Sequence, residues 1–197
     1  MLPAAGLEFR SRVIKAPAAS GELKTADSAR ILSFSVINDP FFDLLMFSVS
    51  RLLNTSFMDH FTLFCLDDVA MSRCRGHRLN HTTGMRCERT SETYDTYQGF
   101  KQGSFYEVGW MKLKLLQKAL LSGNFDQVMV FDADVLFLSP PQWLDSDVDF
   151  MYQAEGARNF GINFGLTLWR NTNIVRETVA ELLELLNHED DMWDQDA

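Results

Sequence analysis

The sequence has no apolar run close to the roughly 20 residues that a membrane-spanning helix requires. Residues 1–20 also lack the compact apolar stretch, about 7–15 residues long, that is typical of a signal peptide. Neither a G-x-x-x-x-G-K-[ST] phosphate loop nor a kinase-type glycine loop occurs, which argues against a phosphoryl-transfer enzyme. We therefore see no signal, anchor or membrane segment in the chain, and other motifs must carry its chemistry.

Basic residues are scarce toward the end of the chain. Residues 145–197 hold 3 basic and 12 acidic side chains, against 15 of each in residues 1–144, so this segment carries the whole formal charge of −9. Nucleic-acid binders need a basic surface that neutralises phosphates. The composition thus argues against a nucleic-acid partner, whereas metal-binding carboxylates and a solvated acidic face both remain compatible with it.

Length and composition favour one domain preceded by a short extension. The chain has 197 residues, of which 46% are hydrophobic and 23% are charged, as in ordinary globular domains. Residues 1–29 mix Ala, Pro, Ser and Gly without sustained periodicity. We expect a flexible segment there and a folded domain over residues 30–197.

Strand and helix patterns alternate after residue 30. A helical pattern over Phe41–Leu53 lies between the apolar strands Ile31–Ile37 and Phe61–Leu66, which predicts a βαβ unit. A second helical pattern over Tyr106–Leu121 precedes a strand at Gln127–Phe131. Further strands are predicted at residues 148–153 and 162–169, followed by a helix from about residue 173. The class is α/β, with a mixed, mostly parallel sheet and helices on both faces.

The segment Val69–Ser104 shows no convincing period and is predicted to be a long loop. Within it, Cys74, His77, His81 and Cys87 have the residue types of a zinc site, although not a common zinc-finger spacing. A Cys74–Cys87 disulfide, free thiols and a zinc site all remain open at this point. Cys65, inside an apolar strand, is predicted to be plain core. Five arginines of the segment could meet a diphosphate or an anionic acceptor, or be solvated: Arg73, Arg75, Arg78, Arg86 and Arg89.

Polar side chains follow three of the predicted strands. Asn38 and Asp39 follow the first strand, Asp67 follows the second, and Asp132 and Asp134 follow the third. Ligands of open α/β sheets bind beyond the carboxyl ends of the strands, so these side chains are candidates for a binding site.

The D-x-D formed by Asp132 and Asp134 is the sharpest of these signals. The two carboxylates stand alone in the otherwise apolar run Val128–Leu138. Burying them costs several kcal/mol unless they are paired or bind a metal. They could converge on a divalent cation that also holds a diphosphate. The alternative is an Asp that caps the next turn while its neighbour is solvated.

Three segments together resemble the nucleotide-diphospho-sugar transferase family, which includes plant and algal cell-wall xylosyl- and arabinosyltransferases. They are Trp110–Pro141 with the D-x-D, Ile162–Asn171 with an N-x-G, and Trp193–Asp196 with a D-Q. The glycogenin-like glycosyltransferases, a related retaining family, carry a similar D-x-D strand. The resemblance implies a GT-A-like (Rossmann-like) fold, a nucleotide-sugar donor, a Mn²⁺ or Mg²⁺ ion and residence in the Golgi or secretory lumen.

The resemblance also implies roles for the residues at the strand ends. Asp134 is expected to be the principal metal ligand, and Asp132 to contact the donor ribose or share the metal ion. Asn38 and Asp39 are expected at the base of the nucleotide, with Asp67 as a further candidate there.

Five more residues match motifs of the family. Lys112, on the helix before the D-x-D strand, resembles a basic residue near the donor, the alternative being a solvated helix lysine. Asn163 and Gly165 match the N-x-G beside the sugar, and Asp194 and Gln195 match the D-Q near the reacting centre. Asn163, Asp194 and Gln195 are thus the expected catalytic residues.

The implied function is transfer of a hexose or pentose from a nucleotide-diphosphate donor to a glycan or glycoprotein acceptor, with retention of configuration. The alternative is a catalytically silent GT-A-like domain that binds a sugar nucleotide or a partner. Since relatives continue past the D-Q, we expect the domain to be incomplete at its C-terminus. In a secretory lumen, the Cys74–Cys87 pair is expected to be a disulfide.

Overall fold

The computed structural model describes residues 29–79, 83–90, 105–138, 148–154 and 162–188. Within these residues, six strands form one sheet in the order β3-β2-β1-β4-β6-β5. Of the described strands, β6 alone runs opposite to the others, so the expected mixed, mostly parallel sheet is confirmed. The strands are β1 Ile31–Ile37, β2 Phe61–Cys65, β3 Arg86–Arg89, β4 Gln127–Phe131, β5 Phe150–Ala154 and β6 Ile162–Arg170.

Helices cover both faces of the sheet, as predicted. They are α1 Phe42–Val49, α2 Asp68–Gly76, α3 Phe105–Leu121 and α4 Asn173–His188, with short 3₁₀ turns at Asp39–Phe41, Ser50–Leu52 and Ser56–Met58. Within the described ranges, no helix is both long enough and apolar enough to cross a membrane.

The strand β1 separates two hydrophobic cores. All seven of its residues are buried, and they alternate between the two faces. Ile31 and Ile37 join the core under α1 and α2. Leu32, Phe34 and Val36 join the core under α3 and α4. Burial on both faces explains why β1 is a nearly continuous apolar run in the sequence rather than an alternating one.

The loop predicted for Val69–Ser104 is wrong, because α2, which begins at Asp68, extends into this segment and β3 lies within it. The helix α2 buries only Ala70, Met71 and Cys74, which is too few apolar residues to produce a clear helical period. The strand β3 is at the edge of the sheet and is half-buried, with three charged residues in its four positions. Such an edge strand lacks the apolar signal of a central strand.

The first helix is shorter than the predicted span Phe41–Leu53. The α-helical part ends at Val49 and continues as a 3₁₀ turn over Ser50–Leu52. Asn54 follows with a positive φ of 64°, a conformation that Asn tolerates better than most residues.

Candidate active site

The carboxyl ends of the neighbouring strands β1 and β4 lie side by side, at the point where the order of the strands in the sheet reverses. From β1 the chain proceeds to β2 and β3 on one side, and it then returns to β4 on the other side of β1. Such a switch point is where open α/β sheets bind ligands. Asn38 and Asp39 follow β1, and Asp132 and Asp134 follow the parallel neighbour β4. The topology therefore brings the predicted base-binding and metal-binding residues to the same end of the sheet, beyond the carboxyl ends of β1 and β4.

Asp132 is held by α3 and by β6. The Lys112 ammonium lies 3.0 Å from Asp132 Oδ1, and the Lys112 side chain is only 12% exposed. The Asp132 amide donates a 2.8 Å hydrogen bond to the carbonyl of Gly165. Lys112 is thus not a solvated helix lysine. It neutralises a carboxylate that would otherwise be costly to keep at the end of a buried strand.

Asp134 differs from Asp132 in having no partner among the residues that the structure describes. It is exposed, in a turn that is closed by a 3.2 Å hydrogen bond from the Val135 amide to the Asp132 carbonyl. Nothing in the described part of the chain neutralises this carboxylate. The D-x-D therefore combines one paired carboxylate with one that is available to a ligand.

The glycine of the N-x-G motif is required by close packing. The Gly165 amide donates a 2.6 Å hydrogen bond to Asn163 Oδ1. A Cβ at residue 165 would stand 2.6 Å from that oxygen and 3.2 Å from Asp132 Oδ2. The antiparallel pairing of β6 with β4 creates this approach, because it places Asn163 and Gly165 next to the end of β4. A side chain at residue 165 would displace Asn163 or Asp132.

Asp67 has a structural role at the predicted base-binding end. It is 5% exposed, and its carboxylate accepts two 2.7 Å hydrogen bonds. One comes from the Ala70 amide, which makes Asp67 the N-cap of α2. The other comes from the Asp39 amide, so Asp67 joins the ends of β1 and β2. Asn38 is half-buried, and its side chain makes no capping hydrogen bond.

Arg73 of α2 contacts the same end, which the sequence pattern did not reveal. Its guanidinium lies 2.9 Å from Asp39 Oδ1, also pairs with Asp43, and stacks 4.5 Å from the centre of the Phe42 ring. The hydrogen bond to Asp39 is the main cause that raises the pKa of Arg73. This arginine is therefore not solvated loop charge, and it offsets the Asp39 carboxylate at the end of β1.

Cys74 and Cys87 form a disulfide with a Cα–Cα distance of 6.0 Å, which joins α2 to β3. The zinc interpretation is therefore wrong, because the bond consumes both thiols. The His77 ring packs against Phe42, and burial is the main cause that lowers the pKa of His77. Cys65 is buried core as predicted, and burial raises the pKa of its thiol to about 12.

Two predicted catalytic residues, Asp194 and Gln195, lie outside the described residues, as does His81. In the part of the chain that the structure describes, no three His, Cys, Asp or Glu side chains come together as a ready metal site. Of the two D-x-D carboxylates, which are the predicted metal ligands, Asp134 alone has no partner among the described residues.

Comparison with known proteins identifies the fold and the family. No curated protein matches the chain. A solved structure with the same fold is the apo form of the glycosyltransferase GlyE from Streptococcus pneumoniae TIGR4. Its TM-score is 0.51 at 16% identity, over 86% of this chain and 42% of GlyE. The apo bifunctional glycosyltransferase WbbM also has a TM-score of 0.51, at 14% identity over 84% of this chain and 36% of WbbM.

The chain spans less than half the length of either structure, and the likeness establishes the GT-A fold. A sequence model of the nucleotide-diphospho-sugar transferases matches residues 56–197, which is most of the chain and includes β4 and β6 with the D-x-D and N-x-G motifs. The chain belongs to the nucleotide-diphospho-sugar transferase family.

Proposed function

We propose that this chain carries the donor site of a metal-dependent glycosyltransferase. The enzyme moves a hexose or pentose from a nucleoside-diphosphate sugar to a glycan or glycoprotein acceptor, with retention of configuration. One observation carries the proposal: at the switch point of the sheet, Asp134 is exposed and unpartnered among the described residues, while Asp132 beside it is neutralised by Lys112. Family membership supports the nucleotide-sugar donor.

The residues present fit a hard divalent cation. Carboxylate oxygens are the ligands that Mg²⁺ and Mn²⁺ prefer in proteins. Asp134 would hold the cation, and Asp132 would share it or contact the ribose. Two carboxylates would supply only part of the cation's ligands, and diphosphate oxygens and water would supply the others. Because the nucleotide would supply ligands that the protein lacks, we expect the nucleotide and the cation to bind cooperatively.

A bound cation supplies positive charge beside the diphosphate. The chain's own residues supply the rest of the site. Asn38 and Asp39 border the base, and Asp67 and Arg73 hold Asp39 in place. Lys112 adds a second positive charge near the end of β4. Asn163, oriented by its hydrogen bond to the Gly165 amide, lies beside Asp132 where the sugar is expected.

In the transfer step, the bond between the anomeric carbon and the diphosphate oxygen breaks, and a bond forms from an acceptor hydroxyl oxygen to the same carbon. The nucleoside diphosphate leaves with the bonding electrons, and the hydroxyl proton passes to a departing phosphate oxygen or to water. Charge already in place stabilises this leaving group, so a titrating base on the described residues is not required. Asp194 and Gln195 are the further catalytic candidates.

We also propose residence in the Golgi or secretory lumen. The disulfide between Cys74 and Cys87 supports an oxidising compartment, because such bonds are rare where thiols are kept reduced.

Turnover of nucleotide sugars tests the proposal. Protein is incubated with a panel of uridine- and guanosine-diphosphate sugars, with Mn²⁺ or with a chelator, and released nucleoside diphosphate is measured. We expect release from at least one donor in Mn²⁺ and none in chelator. Binding of a donor without release would favour the catalytically silent sugar-nucleotide-binding domain. Absence of binding across the panel would contradict the donor site itself.

A further inference from the structure

Ser48 is a polar residue in the hydrophobic core under α1. Its exposure is 0%, and its hydroxyl does not bond to the preceding turn of its own helix, as buried helical serines often do. Instead, Ser48 Oγ donates a 2.5 Å hydrogen bond to the Val135 carbonyl and accepts a 3.1 Å hydrogen bond from the Phe137 amide. One hydroxyl thus satisfies two backbone groups of a segment 87 to 89 residues away.

The segment that Ser48 holds comes directly after the D-x-D. The turn from Asp132 to Val135 is fixed at its start by the hydrogen bond from the Asp132 amide to the Gly165 carbonyl. It is fixed at its end by Ser48, through the Val135 carbonyl. Asp134 lies between these two attachments and has no partner of its own among the described residues. Its position therefore depends on the backbone on either side.

We propose that Ser48 is a positioning residue for the Asp134 carboxylate. The hydroxyl holds the backbone after the D-x-D turn, so that a cation does not have to order this segment when it binds. Pre-ordering matters because a ligand bound to a mobile segment must offset the entropy that the segment loses. The inference rests on the proposed function, since it assumes that Asp134 is a metal ligand.

The chain offers two matched controls on or beside the same helix. Ser50 at the end of α1 makes a 2.6 Å hydrogen bond to the Phe47 carbonyl, which is local to the helix. Val49 is fully buried in the same core, so truncating it destabilises the protein while the Ser48 hydroxyl remains. Val49→Ala therefore separates general destabilisation from loss of the attachment.

The test measures Mn²⁺ alone, by electron paramagnetic resonance of the free ion, well below the melting temperature of every variant. We expect Ser48→Ala to weaken Mn²⁺ affinity about tenfold, the size of effect seen when residues behind metal ligands are removed. In metal-free Ser48→Ala protein, amide hydrogen exchange at Phe137 should become faster. Val49→Ala and Ser50→Ala should keep wild-type Mn²⁺ affinity, and Ser50→Ala should also keep wild-type exchange at Phe137.

Mn²⁺ affinity of Ser48→Ala within twofold of wild type would overturn the inference and leave the metal site standing. An equal loss of affinity in Val49→Ala would overturn it too, since general destabilisation would then suffice. If wild-type protein binds no Mn²⁺, either alone or with uridine or guanosine diphosphate, the proposed metal site fails and this inference with it. If Mn²⁺ binds only with the nucleotide, the same variants are compared in its presence. If Ser48→Ala does not fold, Ser48→Cys carries the same test with a smaller expected loss, because a thiol is a weak donor and acceptor.

Discussion

The carboxylates that follow β1 and those that follow β4, on the two sides of the switch point, differ in whether they have partners. At the end of β1, Asp39 is paired with Arg73 and its amide is bound by the buried Asp67. At the end of β4, Lys112 neutralises Asp132, yet Asp134 has no partner among the described residues. The β1 side thus resembles a stabilising network, whereas the β4 side keeps one charge unsatisfied. Exposed carboxylates are ordinary on protein surfaces, so it is the place of Asp134 at the switch point, beside the neutralised Asp132, that supports the proposed ligand.

This contrast predicts that changes on the two sides have different consequences. On the β1 side, they should lower the free energy of unfolding and change cation affinity little. On the β4 side, they should change cation affinity more than stability. The predictions that follow test the contrast at individual residues.

The largest loss of stability is expected for Asp67→Ala. The variant loses the α2 N-cap and leaves the half-buried Asp39 amide without its acceptor, so the free energy of unfolding should fall by about 3 kcal/mol. Urea denaturation measures the change. Asp68→Ala is the matched control, because the Asp68 side chain is 93% exposed and makes a surface ion pair with Arg89. Similar losses in the two variants would contradict the structural role of Asp67.

Removal of the disulfide should have the next largest effect. Cys74→Ser with Cys87→Ser opens a cross-link with a sequence separation of 13, and a loop of this size contributes about 2–3 kcal/mol. We expect urea denaturation to show that loss while Mn²⁺ affinity stays unchanged, since the bond joins α2 to β3 on the β2 side of the sheet. A large drop in Mn²⁺ affinity would show that the two sides are not separate.

Lys112→Met tests the paired carboxylate on the β4 side. The methionine keeps most of the apolar stem and removes the charge that faces Asp132, which is 37% exposed. Nucleoside-diphosphate affinity in the presence of Mn²⁺ should fall about tenfold, because a positive charge near the phosphates is lost. Lys114→Met, an exposed lysine two residues further along α3, is the control. If calorimetry gives the two variants equal affinities for the nucleoside diphosphate, Lys112 is not part of the donor site.

The smallest effect is expected for Arg73→Gln. The Arg73 side chain is 35% exposed and its two partners are surface carboxylates, so the ion pairs should contribute about 0.5–1 kcal/mol. The loss should shrink in high salt, because screening already weakens exposed pairs. A salt-independent loss in urea denaturation would mean that stacking on Phe42 matters more than charge.

The central strands could be predicted from the sequence, and the edge of the sheet could not. The structure confirms Ile31–Ile37 and Gln127–Phe131 residue for residue, because burial on both faces produces short, nearly continuous apolar runs. The helix α2 and the strand β3 have few apolar residues, and a disulfide and a cap help to hold them. The disulfide joins residues that are 13 apart in sequence, so it leaves no periodic pattern.

The candidate site, too, could be predicted from the sequence only in part. Asp132 and Asp134 could be proposed as site residues because two acidic residues interrupt an apolar run. The order of the strands explains why Asn38 and Asp39 lie at the same end of the sheet. Lys112 and Asp67, which contact Asp132 and the Asp39 amide, are already candidates from the sequence, whereas the roles of Arg73 and Ser48 could not be read from the pattern. Arg73 and Ser48 reach the site from helices 34 to 89 residues away, and an arginine or a serine on a helix is ordinary in sequence. The roles of Asp194 and Gln195 stay predictions.

Calorimetric titration of Mn²⁺ into Asp134→Asn, in the presence of uridine or guanosine diphosphate, tests the central claim most directly. The control is Asp59→Asn, another exposed aspartate, which precedes β2 at the amino end of the sheet. We predict that Asp134→Asn loses at least about tenfold in Mn²⁺ affinity without a change in its urea midpoint, and that Asp59→Asn binds like wild type. Unchanged Mn²⁺-dependent nucleotide binding in Asp134→Asn would contradict the assignment of this carboxylate as a metal ligand.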